Sequence, residues 1–148
     1  MYLGNEFCTH LTICHGQFEE DDSKLCPPSL KTFGFLLAGT KNGHVVVFGR
    51  GGTILDRYQL HMGEITHIQY QEEGHVLLST GIDTRIRLSV IKPFDPNMIQ
   101  IQIDIITNYI PQAISILGHV LCVATDDGGI QMFETNIPKQ GLISIINI

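Results

Sequence analysis

One pattern recurs three times along this 148-residue chain and limits what the chain can fold into. It reads Leu36-Leu37-Ala38-Gly39-Thr40-Lys41-Asn42-Gly43 into Val45-Val46-Val47-Phe48, then Leu77-Leu78-Ser79-Thr80-Gly81-Ile82-Asp83-Thr84 into Ile86-Arg87-Leu88-Ser89, then Leu121-Cys122-Val123-Ala124-Thr125-Asp126-Asp127-Gly128 into Ile130-Gln131-Met132-Phe133. Each copy is an apolar run, a turn of small and polar residues, and a second run that alternates, which is the signature of an antiparallel hairpin. Asn42-Gly43 is a strong turn signal of this kind. Successive copies begin 41 and 44 residues apart, room for one further hairpin between each pair.

The intervening segments supply those strands. Thr53–Leu60 follows the Gly49-to-Gly52 turn, Glu64–Tyr70 carries Ile65, Ile68 and Tyr70, and Arg85–Ile91 alternates Arg85 and Arg87 with Ile86 and Leu88. Beyond the Pro93-to-Pro96 loop, Ile99, Ile101, Ile103 and Ile105 alternate with Gln100, Gln102 and Asp104, a half-buried outer strand by its period. Ile110–Ile116 and the apolar Leu142–Ile148 complete the third copy, with Gly118 matching Gly74. Residues 1–33 fit the pattern poorly. Cys8 to His15 reads as a short strand, Glu19-Glu20-Asp21-Asp22 as a solvated loop, and Cys26-Pro27-Pro28 as a break, since paired prolines bar a central strand. No helical period persists beyond two turns, so the fold class is all-β, divided into 1–33, 34–60, 61–105 and 106–148.

Residues 60–89 carry a resemblance. Leu60-His61-Met62-Gly63-Glu64-Ile65, then Gly74-His75-Val76-Leu77-Leu78-Ser79-Thr80-Gly81-Ile82-Asp83, resembles a blade of the WD-repeat β-propeller family without a gap. A spacing of about 40–45 residues per four-stranded blade suits that family. The resemblance implies a structural network in which His61, Ser79 and Asp83 exchange buried hydrogen bonds. A tryptophan completes it in the family. Ser89 stands at that position here, Phe48 and Phe133 at its equivalents, and the chain has no tryptophan. Asn42 and Asp127 are the turn equivalents of Asp83, whereas Ala38 and Val123 replace Ser79. The resemblance spans residues 34–134 and implies about three blades of a larger propeller, residues 1–33 adding a partial blade. A closed ring takes about 4–8 blades, so three form an arc.

His61, Ser79 and Asp83 have the residue types of a hydrolase triad, but a nucleophile needs exposure and an oxyanion hole, and Ser79 lies mid-strand in an apolar run. Cys8, His10, Cys14, His15 and Cys26 hold zinc-ligand types without a Cys-x-x-Cys pair or a finger spacing. The Gly39 and Gly49-to-Gly52 glycines lack the Gly-Lys-Ser/Thr of a phosphate loop. His44, His75 and His119 read as exposed turn histidines. Arg50, Arg57, Arg85 and Arg87 read as surface ion-pair residues. Neither a catalytic site nor a metal or cofactor site is expected.

A net charge of −6 without a basic stripe disfavours nucleic acid. No run reaches the ~18–20 apolar residues of a membrane span, and the first residues lack a secretory pattern. With its four cysteines outside any disulfide spacing, the chain is expected to be cytoplasmic, with a ciliary or axonemal site as the family-level alternative. The expected function is a non-catalytic protein-interaction scaffold whose partners are other proteins, completed by self-association or by a partner. The alternatives are a truncated isoform or gene fragment without independent activity and, more remotely, a hydrolase or metal-binding protein.

Overall fold

The computed structural model describes residues 6–20, 29–93, 95–135 and 145–147. They build three four-stranded antiparallel sheets. The first contains β1 (Cys8–Glu20), β2 (Ser29–Thr40), β3 (His44–Phe48) and β4 (Ile54–Gln59); the second β5 (Ile65–Gln71), β6 (Val76–Gly81), β7 (Arg85–Ile91) and β8 (Ile99–Ile106). The third contains β9 (Pro111–Leu117), β10 (Val120–Thr125), β11 (Ile130–Glu134) and β12 (Ile145–Asn147). Within each sheet every strand pairs with its neighbour in sequence, the arrangement that short turns permit. The one helical turn among the described residues is a 3₁₀ turn at Glu73–His75.

The N-terminal region departs from expectation. β1 runs past His15 to Glu20 and pairs along its length with β2, from Cys8 opposite Thr40 to Glu20 opposite Ser29. Glu19 and Glu20 are therefore strand residues rather than loop. A partner strand offers their backbone a ladder of hydrogen bonds, which outweighs the loop preference that their charge suggested. Asp21, Asp22 and Cys26-Pro27-Pro28 lie outside the described residues, as does most of Leu142–Ile148.

The three sheets repeat one another in detail. The N–H groups of Lys41, Ile82 and Asp126 donate to the carbonyls of Phe7, Glu64 and Ile110, at 2.9, 2.9 and 3.0 Å. The first strand of each sheet carries an extra residue at the matching place, between Cys8 and His10, between Ile65 and His67, and between Pro111 and Ala113. These bulges bend each first strand at the same end.

Two seams hold the sheets together. Leu37, Val45 and Val47 pack on Ile65, Ile68 and Leu77 between the first and second sheets. Their equivalents Leu78, Ile86 and Leu88 pack on Ile114, Leu121 and Phe133 between the second and third. The isoleucines of β8 do not share one face as their period suggested. A register break opposite Leu88 and Ser89 leaves Ile99 in the first seam and turns Ile103 and Ile105 to the second.

Each hairpin turn also has a left-handed residue at the same place: Gly43 (φ 87°), Thr84 (φ 63°) and Gly128 (φ 85°). A β-branched residue is strained there. Thr84→Gly should therefore raise stability by about 0.5–1 kcal/mol, the release of ~1–2 kcal/mol of strain offset by the extra entropy of glycine in the unfolded chain. Chemical denaturation of both proteins measures the difference.

Candidate functional site

The most specific polar constellation lies at the turn end of the second sheet. His61 precedes β5, Ser79 lies on β6, and Asp83 sits in the β6–β7 turn. Their approach follows from the backbone: the N–H groups of Leu60 and His61 both bond the Gly43 carbonyl, at 3.0 and 3.1 Å, which anchors the segment before β5 on the turn of the first sheet. His61 Nδ1 lies 3.0 Å from Asp83 Oδ1, and His61 Nε2 lies 2.9 Å from Ser79 Oγ. Asp83 also accepts from the Met62 N–H at 2.9 Å and the Arg85 N–H at 3.2 Å.

Burial sets the charge state. It pushes the His61 imidazole below its ordinary value despite the Asp83 carboxylate beside it. Burial alone would raise Asp83, but the Met62 N–H and the His61 donor prevail and hold it below the usual carboxylate range. A neutral ring then donates from Nδ1 to Asp83 and accepts the Ser79 hydroxyl at Nε2, so each ring nitrogen is satisfied.

These contacts have the connectivity of a hydrolase triad, but His61 is 1% exposed and Ser79 0%. No substrate carbonyl can reach Oγ without opening the seam. Ser89, which stands on β7 where the resemblance would put a tryptophan, is equally buried, and its Oγ has no hydrogen-bond partner. Ser89→Ala should thus be neutral or stabilising by up to about 1 kcal/mol, because it removes a desolvated hydroxyl and no bond. A thermal melt compared with the parent checks this.

The other turn equivalents behave differently. Asn42 is exposed in its turn. Asp127 closes its own turn, accepting from Thr125 Oγ1 at 2.5 Å and the Gly129 N–H at 3.0 Å, and those bonds hold its carboxyl below the usual range. Thr107 takes the place of His61 before the third sheet. Its N–H and Oγ1 both bond the Thr84 carbonyl, at 2.8 Å each, and its short side chain leaves Asp127 to local donors. Sequence reading missed Thr107, although it lies three residues before Ile110 as His61 lies before Glu64.

Further polar groups support the site. Arg87 donates to the Leu60 carbonyl, and Arg85 reaches Asp104 at 2.6 Å. Arg57 lies 3.4 Å from Glu6. Arg87 also lies 3.4 Å from Asp104, so Arg85, Arg87 and Arg57 do form ion pairs, and Arg87 in addition braces the backbone next to His61. His119 is exposed as expected, whereas His44 and His75 are half-buried: His44 pairs with Glu6 at 2.7 Å, and His75 meets Tyr70 Oη at 2.9 Å. Cys8 is exposed and Cys14 buried, its thiol pushed up to about 12 chiefly by burial. His10 packs edge-on against His67 with ring centres 5.8 Å apart. Among the described residues no group of three or more His, Cys, Asp or Glu side chains is placed to hold a metal ion. Cys26 lies outside them. No helix of the described residues is long and apolar enough to cross a membrane.

No protein-family model matches the sequence, and the curated proteins contain no match to it. Solved structures do resemble the fold. The β-propeller domain of Cps50 (Swd1) from Myceliophteria thermophila aligns over 76% of this chain with a TM-score of 0.64 and 20% identity. The computationally designed protein Ika8 aligns over 76% with a TM-score of 0.60 and 17% identity. The aligned region covers 39% of the first protein and 33% of the second, so this chain spans well under half of either. Antiparallel four-stranded sheets stacked in sequence, with these neighbours, give the chain an all-β propeller architecture of three blades that do not close a ring.

Proposed function

We propose that the chain is a non-catalytic protein-interaction scaffold of WD-repeat type, acting in the cytoplasm within a larger assembly or a longer parent protein. The observation that carries this reading is the division of labour at the turn end of the blades. The catalytic-looking groups are sealed as a structural network, whereas the surrounding rim presents large apolar side chains to solvent. Met62 is 80% exposed, and Ile82 and Tyr109 stand exposed in the neighbouring turns. Exposed apolar side chains on a rigid frame suit partner binding. Propeller-domain neighbours support a binding role at the level of fold alone.

The test has two arms. Crosslinking mass spectrometry on cells expressing the chain should identify protein partners through the rim, and Met62→Glu with Ile82→Glu should remove them while the melt is unchanged. An esterase or metal-dependent activity lost on Ser79→Ala, with the fold intact, would overturn the reading.

A further inference from the structure

We infer that the second seam holds a binding site for a tyrosine side chain of a partner protein, in a hollow at the end of the blades opposite the His61 network. This rests on the reading of the chain as a protein-interaction scaffold, which makes the carrier of the ring a protein.

The two seams differ at register-equivalent positions. Cys14 lies opposite Phe35 and Gln71 opposite Val76, so Val76 stands in the second blade where Phe35 stands in the first. Tyr70 lies opposite Leu77 and Ile116 opposite Leu121, so Ile116 takes the place of Tyr70. Phe33 precedes Phe35 by two residues, as Gly74 precedes Val76. The second seam thus has glycine, valine and isoleucine where the first has three aromatic rings.

Those rings fill the first seam. Phe33 and Phe35 stack with centres 5.9 Å apart, Phe33 packs edge-on against His75 at 5.4 Å, and Tyr70 Oη meets His75 Nδ1 at 2.9 Å. A Cβ on Gly16 would come within 3.1 Å of Phe33 and 3.2 Å of His75, so no room is left there. In the second seam the same place is a hollow of about 520 Å³, with Val76, Val90 and Ile116 as its apolar lining. A Cβ on Gly118 meets nothing within 4 Å. The volume is that of a ligand site.

Polar groups at the mouth specify the ring. His119 is the equivalent of His75, each following a left-handed glycine, Gly118 (φ 58°) or Gly74 (φ 75°). It lines the hollow and is exposed; among the described residues its carbonyl is hydrogen-bonded, by Thr135, and its ring nitrogens are not. His119 therefore offers an incoming phenol the contact that His75 gives Tyr70. Glu73 also lines the hollow, and no Lys or Arg does. A phosphorylated tyrosine would set its charge against that carboxylate with no cation to pair it. The site thus takes unmodified tyrosine.

NMR of the full chain with labelled methyl groups and histidine rings, titrated with N-acetyl-tyrosinamide, should show shifts at Val76, Val90, Ile116 and the His119 ring. N-acetyl-phenylalaninamide should bind the same place about three- to tenfold more weakly, the worth of one neutral hydrogen bond. The O-phosphorylated tyrosinamide should leave these signals unmoved. His119→Ala, at an exposed side chain, should erase the preference for tyrosine over phenylalanine while the ring still binds. Ile116→Tyr, which puts the first seam's own ring into the hollow, should raise the melting temperature and block both capped amides.

No shift at these residues, equal affinity of the parent for the two capped amides, binding of the phosphorylated one, or unchanged binding to Ile116→Tyr would each overturn the site. Any of these results with the Met62 and Ile82 crosslinks still found leaves the scaffold reading standing. Ring binding without any crosslinked partner would overturn the scaffold reading and, with it, the protein carrier.

Discussion

Asp83→Ala should lower the free energy of unfolding by about 3 kcal/mol, the largest effect of any single polar substitution in the chain. The carboxylate accepts from His61 Nδ1, the Met62 N–H and the Arg85 N–H. Its removal strands the buried imidazole donor and two backbone donors, each of which costs ~1–3 kcal/mol when left without a partner, in part recovered by water at the turn. Asp83→Asn, which keeps one acceptor oxygen, should cost about half as much. Urea denaturation followed by circular dichroism measures both.

The same network predicts a pH profile. His61 titrates below its ordinary 6.5 in the folded protein, so between its folded value and 6.5 the unfolded chain binds a proton that the folded chain does not. Stability therefore rises with pH across that window and is complete above 6.5. His67, also lowered by burial, acts in the same direction. Asp83 contributes stability above its ordinary 3.8 and loses it as pH falls through its lower folded value. Acidification should thus destabilise the protein in two stages, and the lower stage should flatten in Asp83→Ala.

Gly43→Ala should be at least as damaging, at about 4 kcal/mol or more, while Gly128→Ala should cost about 1–2 kcal/mol. The two glycines share a left-handed backbone, at φ 87° and 85°, so the conformational strain on alanine is the same. They differ in surroundings. A Cβ on Gly43 would stand 2.0 Å from the His61 carbonyl oxygen, a backbone atom that cannot turn aside, whereas one on Gly128 meets nothing within 4 Å. Gly43 is the point where the turn of one blade locks the segment before the next, through its carbonyl bonds to Leu60 and His61. The difference between the two variants isolates that lock from turn strain, and parallel melts read it directly.

How much of this was legible in the sequence depends on distance along the chain. Hairpins are local, so the turns at Asn42-Gly43 and Asp126-Asp127-Gly128 marked strand pairs that the structure contains. The spacing of His61, Ser79 and Asp83 marked residues that the fold brings within hydrogen-bond reach. What escaped was set by pairing between distant segments. β1 reaches Glu20 because β2 begins at Ser29 and offers a full ladder, a fact that no window around Glu19 contains. The isoleucines of β8 divide between seams because of one bulge, and period-two alternation cannot register a bulge. His75 looked like an exposed turn residue, but Phe33 of the first blade packs edge-on against its ring at 5.4 Å. Thr107 escaped because threonine in place of histidine breaks the motif while the backbone position persists.

The three repeats stack as consecutive blades through two equivalent seams. Methyl-labelled NMR reads those seams residue by residue. Nuclear Overhauser contacts are expected from Leu37 and Val45 to Ile65 and Leu77, and from Leu78 and Ile86 to Ile114 and Leu121. Intact strand pairing within each sheet with neither set of contacts would contradict this stacking.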